Sequence, residues 1–310
     1  MNPFPYSSDN KRYHTLSYRN RTLGFTAFKA VLDAGFTCPN IDGSKGFGGC
    51  IYCDAGSGYF SSPPSISVEQ QLKSEIDRIR RRKPDARVIA YFQAHTNTYA
   101  PVSRLKELYE SVLSCEGVCG LAISTRPDAL SSSILDYLEA LSRETELTVE
   151  LGLQSVHDHT LKLINRCHSY LDFLHGYQSL KGLGIRVGVH LINGLPEETP
   201  DMMIRSAFCI GRLQPDAVKL HLLHVIRGTP LNDLYESGRY EPMTLKNYVD
   251  VIVSQLEVLP PQTVIERVTG DADKRTLVAP AWSKDKIRVL GSIDKAMAER
   301  ETWQGKYYNT

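Results

Sequence analysis

Short apolar runs rich in β-branched residues alternate with longer amphipathic stretches along most of this chain. The apolar runs predict buried strands at 28–33, 87–94, 120–125, 147–154, 185–193 and 217–225. The amphipathic stretches, several of them preceded by Ser, Asp or Pro, predict helices at 68–82, 103–114, 131–142, 171–181 and 201–213. Such alternation is typical of a parallel sheet covered by helices, either an open doubly wound sheet or a barrel.

The composition excludes several classes of protein. A length of 310 residues with 42% hydrophobic side chains is enough for a large core, so disorder is excluded as the main state. The formal net charge of +1 means that a nucleic acid would have to bind a local patch. Seven cysteines, an odd number, without a recognisable leader segment predict a cytoplasmic protein with reduced thiols, and no apolar run reaches membrane-spanning length.

Polar side chains follow each predicted strand. They are found in DAG (33–35), QAHTNT (93–98), STRPD (124–128) and NGLPE (193–197), and at Glu150, Gln154, His221 and His224. A single polar strand end is commonly a turn or a helix cap, but six of them together are harder to explain in that way. Because parallel α/β proteins carry their chemistry at the carboxyl ends of strands, a site is predicted at this edge.

Three cysteines lie in a glycine-rich loop after the first strand. Cys38, Cys50 and Cys53 have the spacing C-x11-C-x2-C, with four glycines between the first two. Glycines let the backbone wrap closely around a bound group, and the C-x2-C pair presents two thiolates to one centre. Three thiolates suit a four-iron cluster with one open iron, whereas a structural zinc ion would need a fourth ligand, for which His14 or His95 is a candidate.

The cysteine loop resembles that of the radical S-adenosylmethionine (SAM) enzymes, although its first gap is longer than the usual three residues. Over almost its whole length the chain resembles the YhcC/YtqA-like branch of that superfamily, which is related to the elongator catalytic subunit. The matching segments are LDAGFTCPNIDGSKGFGGCIYC, AYFQAHTNTYAP, STRPD, VELGLQSVHDHTL with the following INR, HLINGLPEET, VKLHLLHV and APAW.

The resemblance implies a partial (β/α)6 TIM-type barrel at 28–228, with a short N-terminal arm at 1–27 and a C-terminal extension at 229–310. It also implies that Cys38, Cys50 and Cys53 bind a [4Fe-4S] cluster whose open iron binds SAM. The pair would generate a 5′-deoxyadenosyl radical that removes hydrogen from the substrate.

The resemblance also suggests which residues hold SAM. Tyr52 would pack near the adenine, and Gln93 to Thr96 would hold the methionine amino group. Gln154 and Arg166 would contact the ribose and the carboxylate. Further expected contacts are Asn193 to the adenosine, and Arg126 and Glu150, which would either pair with each other or touch SAM.

The sixth predicted strand carries Lys219, His221 and His224. We interpret these residues as alternating along the strand, so that their side chains point to one face, opposite the cluster. We predict that they meet SAM or substrate there as catalytic candidates, with His95 and His190 acting similarly. Cys115, Cys119, Cys167 and Cys209 have no assigned chemistry. Cys115 and Cys119 precede a buried strand, where a role as small hydrophobic residues is favoured over ligation of a second cluster.

The resemblance links the chain to modification of the tRNA wobble uridine. The implied reaction converts a 5-carboxymethylaminomethyl side chain to the 5-aminomethyl form. Expected partners are a reductant such as flavodoxin or ferredoxin and a tRNA methyltransferase acting on the product. Two alternatives stay open: radical SAM chemistry on a small metabolite or porphyrin, and a non-catalytic iron-sulfur or zinc protein that binds RNA.

Basic and aromatic residues without an acidic residue occupy 11–29, which predicts contacts with a tRNA loop. A solvated helix end is the alternative for this segment. The candidate RNA-binding residues are Lys11, Arg12, Arg19, Arg21 and Lys29.

Overall fold

The computed structural model describes residues 4–7, 10–22, 24–54 and 65–308. The strands are β1 (Ala27–Leu32), β2 (Arg87–Phe92), β3 (Val118–Thr125), β4 (Glu146–Gln154), β5 (Arg186–Asn193), β6 (Ala217–Leu222), β7 (Val225–Ile226), β8 (Val264–Arg267) and β9 (Leu277–Ala279). All six predicted strands form. The predicted sixth strand ends early, because the chain leaves the sheet after Leu222 and Val225 pairs with Ala279 instead.

Seven parallel strands form one curled sheet in the order β1-β2-β3-β4-β5-β6-β8. The predicted barrel-type α/β fold is therefore confirmed, with a seventh strand added. That strand, β8, comes from the segment that the sequence assigned to the C-terminal extension. β7 and β9 form a separate two-stranded sheet.

Helices connect the strands and cover the outer face of the sheet. They are α1 (Leu16–Thr22), α2 (Val68–Arg80), α3 (Val102–Leu113), α4 (Ser132–Glu144), α5 (Asp158–Leu163), α6 (Tyr170–Gly182), α7 (Pro200–Arg212), α8 (Pro230–Glu236), α9 (Leu245–Val258) and α10 (Lys286–Glu299). Ser169 and Asp172 form a capping box at the start of α6, and Thr199 caps α7. Apolar side chains of alternate strand residues pack beneath these helices, which leaves the other strand face for a polar interior.

The two edge strands, β1 and β8, meet through side chains rather than a backbone ladder. Lys29 Nζ of β1 lies 2.5 Å from Glu266 Oε2 of β8. Thr15, just before α1, pairs with Ile265 of β8. The N-terminal segment thus packs beside the seam between the edge strands. Within the described ranges, no helix is both long and apolar enough to cross a membrane.

Candidate active site

A cavity of about 190 Å³ opens at the carboxyl edge of the curled sheet. Its wall combines the cysteine loop with side chains from the ends of β2 to β6 and from β8. The sequence-predicted residues in this wall are Cys38, Cys50, Tyr52, Cys53, Gln93, His95, Thr96, Arg126, Gln154, Arg166, His190, Lys219 and His221. The structure therefore brings the three cysteines together with most of the predicted SAM-binding residues, as the polar strand ends indicated.

Two side chains direct N–H groups at the sulfur of Cys50. Asn40 Nδ2 and Arg166 Nη1 each lie 3.7 Å from Cys50 Sγ. Positive groups and N–H donors near a sulfur favour the thiolate, the form that binds metal. Burial disfavours the charge on Arg166, but the Cys50 sulfur and Tyr52 outweigh it and raise the pKa of Arg166 above its usual value.

The segment 164–167 clamps the cysteine loop. Ile51 donates its backbone N–H to the Ile164 carbonyl at 3.2 Å, and Asn165 Nδ2 donates to the carbonyls of Phe47 at 3.0 Å and Gly49 at 2.7 Å. Asn165 has a φ of 55°. This left-handed conformation, which asparagine tolerates better than most residues, turns the segment back toward the loop.

Gly46 allows the loop and the clamp to approach closely. A Cβ at Gly46 would lie 2.4 Å from Asn40 Oδ1 and 2.7 Å from Cys167 Sγ. Cys167, unassigned from the sequence, therefore packs against the cysteine loop. In contrast, Cys119 lines a surface hollow at the start of β3 and β4, at the opposite edge of the sheet.

The donor set fits an iron-sulfur cluster. Cys38, Cys50 and Cys53 form no disulfide bond in the described part of the chain, and all three line one cavity. Within the described residues, no three histidine, cysteine or acidic side chains converge closely enough to ligate a single metal ion. His14, one candidate for a fourth zinc ligand, stacks on Tyr6 away from the cysteines. A larger group that receives one bond from each of three spaced thiolates matches this arrangement.

The cavity also offers unpartnered polar groups to a ligand. Gln154 ends β4 with a φ of 81°, and its buried Oε1 has no partner among the described residues. A Cβ at Gly152 would lie 2.8 Å from Arg166 Nη2 and 2.9 Å from Gln154 Nε2, so the missing side chain makes room for both groups. Gln93 and Thr96 line the wall next to the cysteine loop.

Of the two alternatives for Arg126, a pair with Glu150 or a contact with SAM, the first is wrong, because Arg126 pairs with Asp128. Its Nε and Nη2 donate to the two carboxylate oxygens of Asp128, each at 2.9 Å. Its Nη1 and Nη2 also donate to the carbonyls of Arg166 at 2.8 Å and Cys167 at 3.2 Å. Burial alone would raise the pKa of Asp128, but Arg126 outweighs it and lowers that pKa to about 2. Arg126 therefore supports the clamp.

Below the cavity, one layer of polar side chains crosses the interior. Glu150 receives bonds from Lys29 at 2.5 Å, Lys219 at 2.5 Å, Tyr91 at 2.6 Å and His190 at 2.8 Å. Glu266 lies 2.5 Å from Lys29 and 3.6 Å from Lys219, so two lysines balance two carboxylates. A Cβ at Gly188 would lie 3.3 Å from Glu150 Cγ, which is a tight steric contact with the side chain that carries this carboxylate.

The layer holds its charges in fixed states. Burial would raise the pKa of Glu150, but Lys219 and Lys29 hold it well below its usual value. Burial and Lys219 lower the pKa of His190 despite the bond to Glu150. Neutral His190 therefore donates its Nε2–H to an ionised Glu150.

Lys219 and His221 lie two residues apart on β6 and both face the interior, as predicted. The alternation predicted for His224 is wrong, because it lies three positions after His221, which gives it the opposite parity, and β6 ends at Leu222. His224 lines a neighbouring cavity instead. His95, the fourth catalytic candidate, lies in the loop after β2 with a φ of 61° and lines the cluster cavity.

Asn193 does not face the cavity, so the predicted adenosine contact is wrong. His190 and Ile192 take the inward positions of β5, and Asn193, with the opposite parity, faces the helices. Asn193 and Gln255 of α9 exchange two amide hydrogen bonds of 2.8 and 2.7 Å. The buried pair joins the sheet to α9.

The predicted RNA-binding arm lies at the other edge of the sheet. Arg19 lines a groove with Arg186 and Val264, the first residues of β5 and β8. A six-residue strand spans about 20 Å, so this groove is far from the cysteines. Arg21 is exposed on α1.

Other residues of the arm have intramolecular partners. Lys11 pairs with Asp294 of α10, and Arg12 donates to the Thr302 carbonyl at 3.4 Å. Lys29 is an interior residue bound to Glu150, so assigning it to RNA is wrong. The pattern of basic and aromatic residues has a structural origin at these positions.

Sequence reasoning missed several residues of the site. Tyr91 could have been found because it has the same parity as Gln93 in the predicted strand 87–94. Asn165 could have been found because it lies inside the INR segment. Asn40 has no distinctive spacing. Glu266 and Arg267 lie on β8, in the segment that the sequence assigned to the C-terminal extension rather than to the barrel.

The three-cysteine cavity at the carboxyl edge of a curled parallel sheet defines a radical SAM protein, and the comparisons agree. The Radical SAM superfamily model matches residues 45–209, and the Radical_SAM C-terminal domain model matches residues 215–299. The chain belongs to the radical SAM superfamily. This membership makes it an enzyme of a class that uses SAM with a [4Fe-4S] cluster.

Among its relatives, the chain is similar to YtqA, an uncharacterized protein of Bacillus subtilis, at 45% identity over 99% of this chain and 96% of YtqA. It is also similar to YhcC of Escherichia coli, at 33% identity over 90% of each chain. A tRNA uridine(34) acetyltransferase of Methanocaldococcus infernus is 31% identical over 51% of this chain and 30% of the relative.

The fold is similar to that of a solved structure, the Methanocaldococcus infernus Elp3 with an N-terminal deletion. The TM-score is 0.68 at 20% sequence identity, and the match covers 90% of this chain and 64% of that chain. This likeness supports the barrel fold.

Proposed function

We propose that this radical SAM enzyme acts on the wobble uridine of tRNA, with or without a 2-thio group, and converts its 5-carboxymethylaminomethyl side chain to the 5-aminomethyl form. The observation that carries the proposal is the cavity in which Cys38, Cys50 and Cys53 face a polar barrel interior. The partial similarity to a tRNA uridine(34) acetyltransferase supports the choice of substrate.

In this proposal the cysteine loop holds the cluster and the strand ends hold SAM. Gln93, Thr96, Gln154 and Arg166 offer polar groups toward the methionine and ribose parts, and Tyr52 offers an aromatic face near the adenine. Arginine suits the methionine carboxylate because its planar fork binds both oxygens. When bound, the cluster and SAM supply a 5′-deoxyadenosyl radical, with methionine as the other product.

The proposed reaction balances as an oxidative removal of the two-carbon acid. The CH2 carbon between the side-chain nitrogen and the carboxylate would lose one hydrogen atom to the 5′-deoxyadenosyl radical. It would then lose one electron and one proton, which would leave an imine. Water hydrolyses the imine to the aminomethyl group and glyoxylate. SAM is the two-electron oxidant and is converted to methionine and 5′-deoxyadenosine. A reduced flavodoxin or ferredoxin would donate one electron to begin the cycle, and the substrate would release one electron later. These two electrons cancel in the overall reaction.

The polar layer would form the floor beneath the substrate. Glu150 binds Lys219 and His190, so these side chains would be held in place in the floor.

Two measurements test the proposal. Cluster-loaded protein with a reductant should form 5′-deoxyadenosine from SAM, and the Cys53→Ala protein should not; identical behaviour of the two proteins would refute radical chemistry. Nucleoside mass spectrometry of tRNA from cells lacking the gene should show the carboxymethylaminomethyl form accumulating, at the expense of the methylaminomethyl form made by the partner methyltransferase. An unchanged wobble-uridine profile would refute the tRNA substrate.

A further inference from the structure

The positive charge of the chain is concentrated on one surface. The segment 267–288 contains six basic and three acidic residues, although the whole chain has a formal net charge of +1, so the remainder of the chain is net negative. Arg227, directly after β7, adjoins this segment, because its backbone N–H donates to the Thr276 carbonyl at 2.9 Å. We call the exposed basic residues of this region the basic surface: Arg227, Lys274, Arg275, Lys284, Lys286 and Arg288.

The fold brings the two ends of this segment together. β7 pairs with β9 in an antiparallel sheet, which places Arg227 beside the loop 271–276. At the other end of the segment, Lys286 in the first turn of α10 pairs with Asp271 of the same loop. The loop 271–276 therefore contacts both Arg227 and the start of α10, and the basic residues share one surface.

The basic surface lies at the carboxyl edge of the sheet, where the cluster cavity opens. Residues of the loop 271–276 line a neighbouring cavity that shares Tyr52 and His221 with the cluster cavity. Beyond β7, the Leu231 backbone N–H donates to the carbonyl of Ile51 in the cysteine loop at 2.9 Å. A molecule bound to the basic surface is therefore beside the mouth of the cavity.

The acidic residues of the segment are already occupied. Asp271 pairs with Lys286, and Asp273 lies 2.6 Å from the Arg275 guanidinium. The Asp285 side chain accepts a backbone N–H of the first turn of α10 at 3.0 Å and caps that helix. These carboxylates neutralise part of the surface but do not reach its other cations.

Four cations of the basic surface stay available to a ligand. In the part of the chain that the structure describes, no carboxylate forms an ion pair with Arg227, Lys274, Lys284 or Arg288. All four side chains belong to exposed residues. Unpaired cations that are close together on a surface attract a ligand with several negative charges.

Other loops at the same edge are not basic. The loop 93–101 after β2 contains no charged residue other than a histidine, and the loop 194–199 after β5 contains two glutamates and no basic residue. After β3, Arg126 is bound to Asp128. Around the ends of these three strands, positive charge is thus absent or paired, so a polyanion approaching the cavity would be attracted toward the basic surface.

We propose that the basic surface binds the phosphate backbone of the RNA that carries the substrate nucleotide. Contacts between phosphates and exposed Lys and Arg side chains fix the position of a nucleic acid without reading its sequence. The base to be modified must leave its stack to enter the cavity, and the phosphates on one side of it would then lie over this surface. The inference rests on the proposed function, and it gives this surface the role that the sequence assigned to the N-terminal arm.

Fluorescence anisotropy of a labelled RNA hairpin, titrated with anaerobic, cluster-loaded protein at several salt concentrations, tests the surface. An unmodified hairpin is a sufficient probe, because phosphate contacts do not depend on sequence. The double variant Arg227→Gln/Lys284→Gln should weaken binding about tenfold. It should also reduce the slope of log affinity against log salt by about 1.5, since each phosphate contact contributes about 0.7–0.9.

The matched control is Arg143→Gln/Lys295→Gln. It removes one arginine and one lysine, whose side chains are 73% and 74% exposed, from the last turn of α4 and the second half of α10. The control changes the net charge equally and should bind the hairpin like the wild type. Equal losses in the two double variants, or unchanged binding in Arg227→Gln/Lys284→Gln, would overturn the surface. Folding of each variant is checked by its iron content and circular dichroism.

Vesicles of phosphatidylglycerol and phosphatidylcholine separate RNA from a membrane as the partner. Ile287 is 85% exposed between two basic residues, a combination that also suits an anionic lipid surface. We expect no sedimentation of the protein with these vesicles. Sedimentation that Arg227→Gln/Lys284→Gln abolishes, with RNA binding left unchanged, would overturn the assignment to RNA.

The outcome is separate from that of the wobble-uridine profile. Weakened RNA binding by Arg227→Gln/Lys284→Gln, with an unchanged profile in cells lacking the gene, would refute the wobble-uridine substrate and leave the surface standing. An altered profile, with full RNA binding by that variant, would leave the substrate standing and overturn the surface.

Discussion

The substitution Glu150→Gln tests the charge layer inside the barrel. Glu150 is 1% exposed and is bound by Lys29, Lys219 and His190, so a neutral amide leaves two buried lysines with Glu266 as the remaining carboxylate. Removing one partner from a buried ion pair costs about 3–5 kcal/mol.

An unfolding entropy of about 2.1 cal/mol/K per residue converts that loss, for this length, into an unfolding temperature lower by about 5–8 °C. The measurement is thermal unfolding of the metal-free protein followed by circular dichroism, so that cluster binding does not contribute.

Glu299→Gln is the matched control. It makes the same chemical change in a surface pair with Lys295, whose side chains are 65% and 74% exposed, and such pairs contribute about 0–1 kcal/mol. If Glu150→Gln unfolded at the same temperature as this control, the reasoning about the buried layer would be refuted.

The stability difference should also depend on pH with a defined sign. The pKa of Glu150 is held well below the value near 4.5 of an unfolded glutamate. The carboxylate therefore stabilises the native state above about pH 4.5, and this contribution is lost as the pH falls further. The gap between wild type and Glu150→Gln should narrow below that pH, and a gap that widened would contradict the assigned charges.

Three further predictions concern Asn193, Arg166 and Arg21. Asn193→Ala should lower the free energy of unfolding by about 1–3 kcal/mol, because the buried Gln255 amide loses both bonds, while calorimetric SAM affinity stays unchanged; weaker SAM binding at unchanged stability would restore the adenosine role. Arg166→Lys should lower the reduction potential of the cluster in a dye titration, since it removes an N–H donor to Cys50 Sγ, and an unchanged potential would argue against that contact. Arg21→Glu should leave tRNA affinity and its salt dependence unchanged in a filter-binding assay, because α1 lies at the amino edge; a large loss would return the arm to the RNA interface.

The parts of the site that could be predicted from sequence are those that local patterns encode. The spacing of Cys38, Cys50 and Cys53 required one loop, and the polar ends of parallel strands had to meet at one edge. Lys219 and His221 were predicted to face inward because they lie two positions apart on one strand.

The errors arise where a side chain had two possible environments. Asn193 is polar at a strand end, yet its parity directs it to Gln255 on a helix that is distant in sequence. Lys29 is part of a basic, aromatic segment, but it lies on β1 and its charge is used inside the barrel. Arg126 forms an ion pair with Asp128, two positions along the chain. None of these partners follows from spacing within a single strand.

The clamp at 164–167 has a consequence for how the enzyme matures. The loop that carries the cluster thiols is synthesised well before Asn165 and Arg166, whose side chains hold its carbonyls and the Cys50 sulfur. On the ribosome, the three thiols therefore emerge without these donors, and the site becomes complete only after β4 and α5 have folded behind them. Cluster insertion would then follow the folding of this segment, and a variant that loosens the clamp is expected to show its defect first in assembly of the cofactor rather than in catalysis.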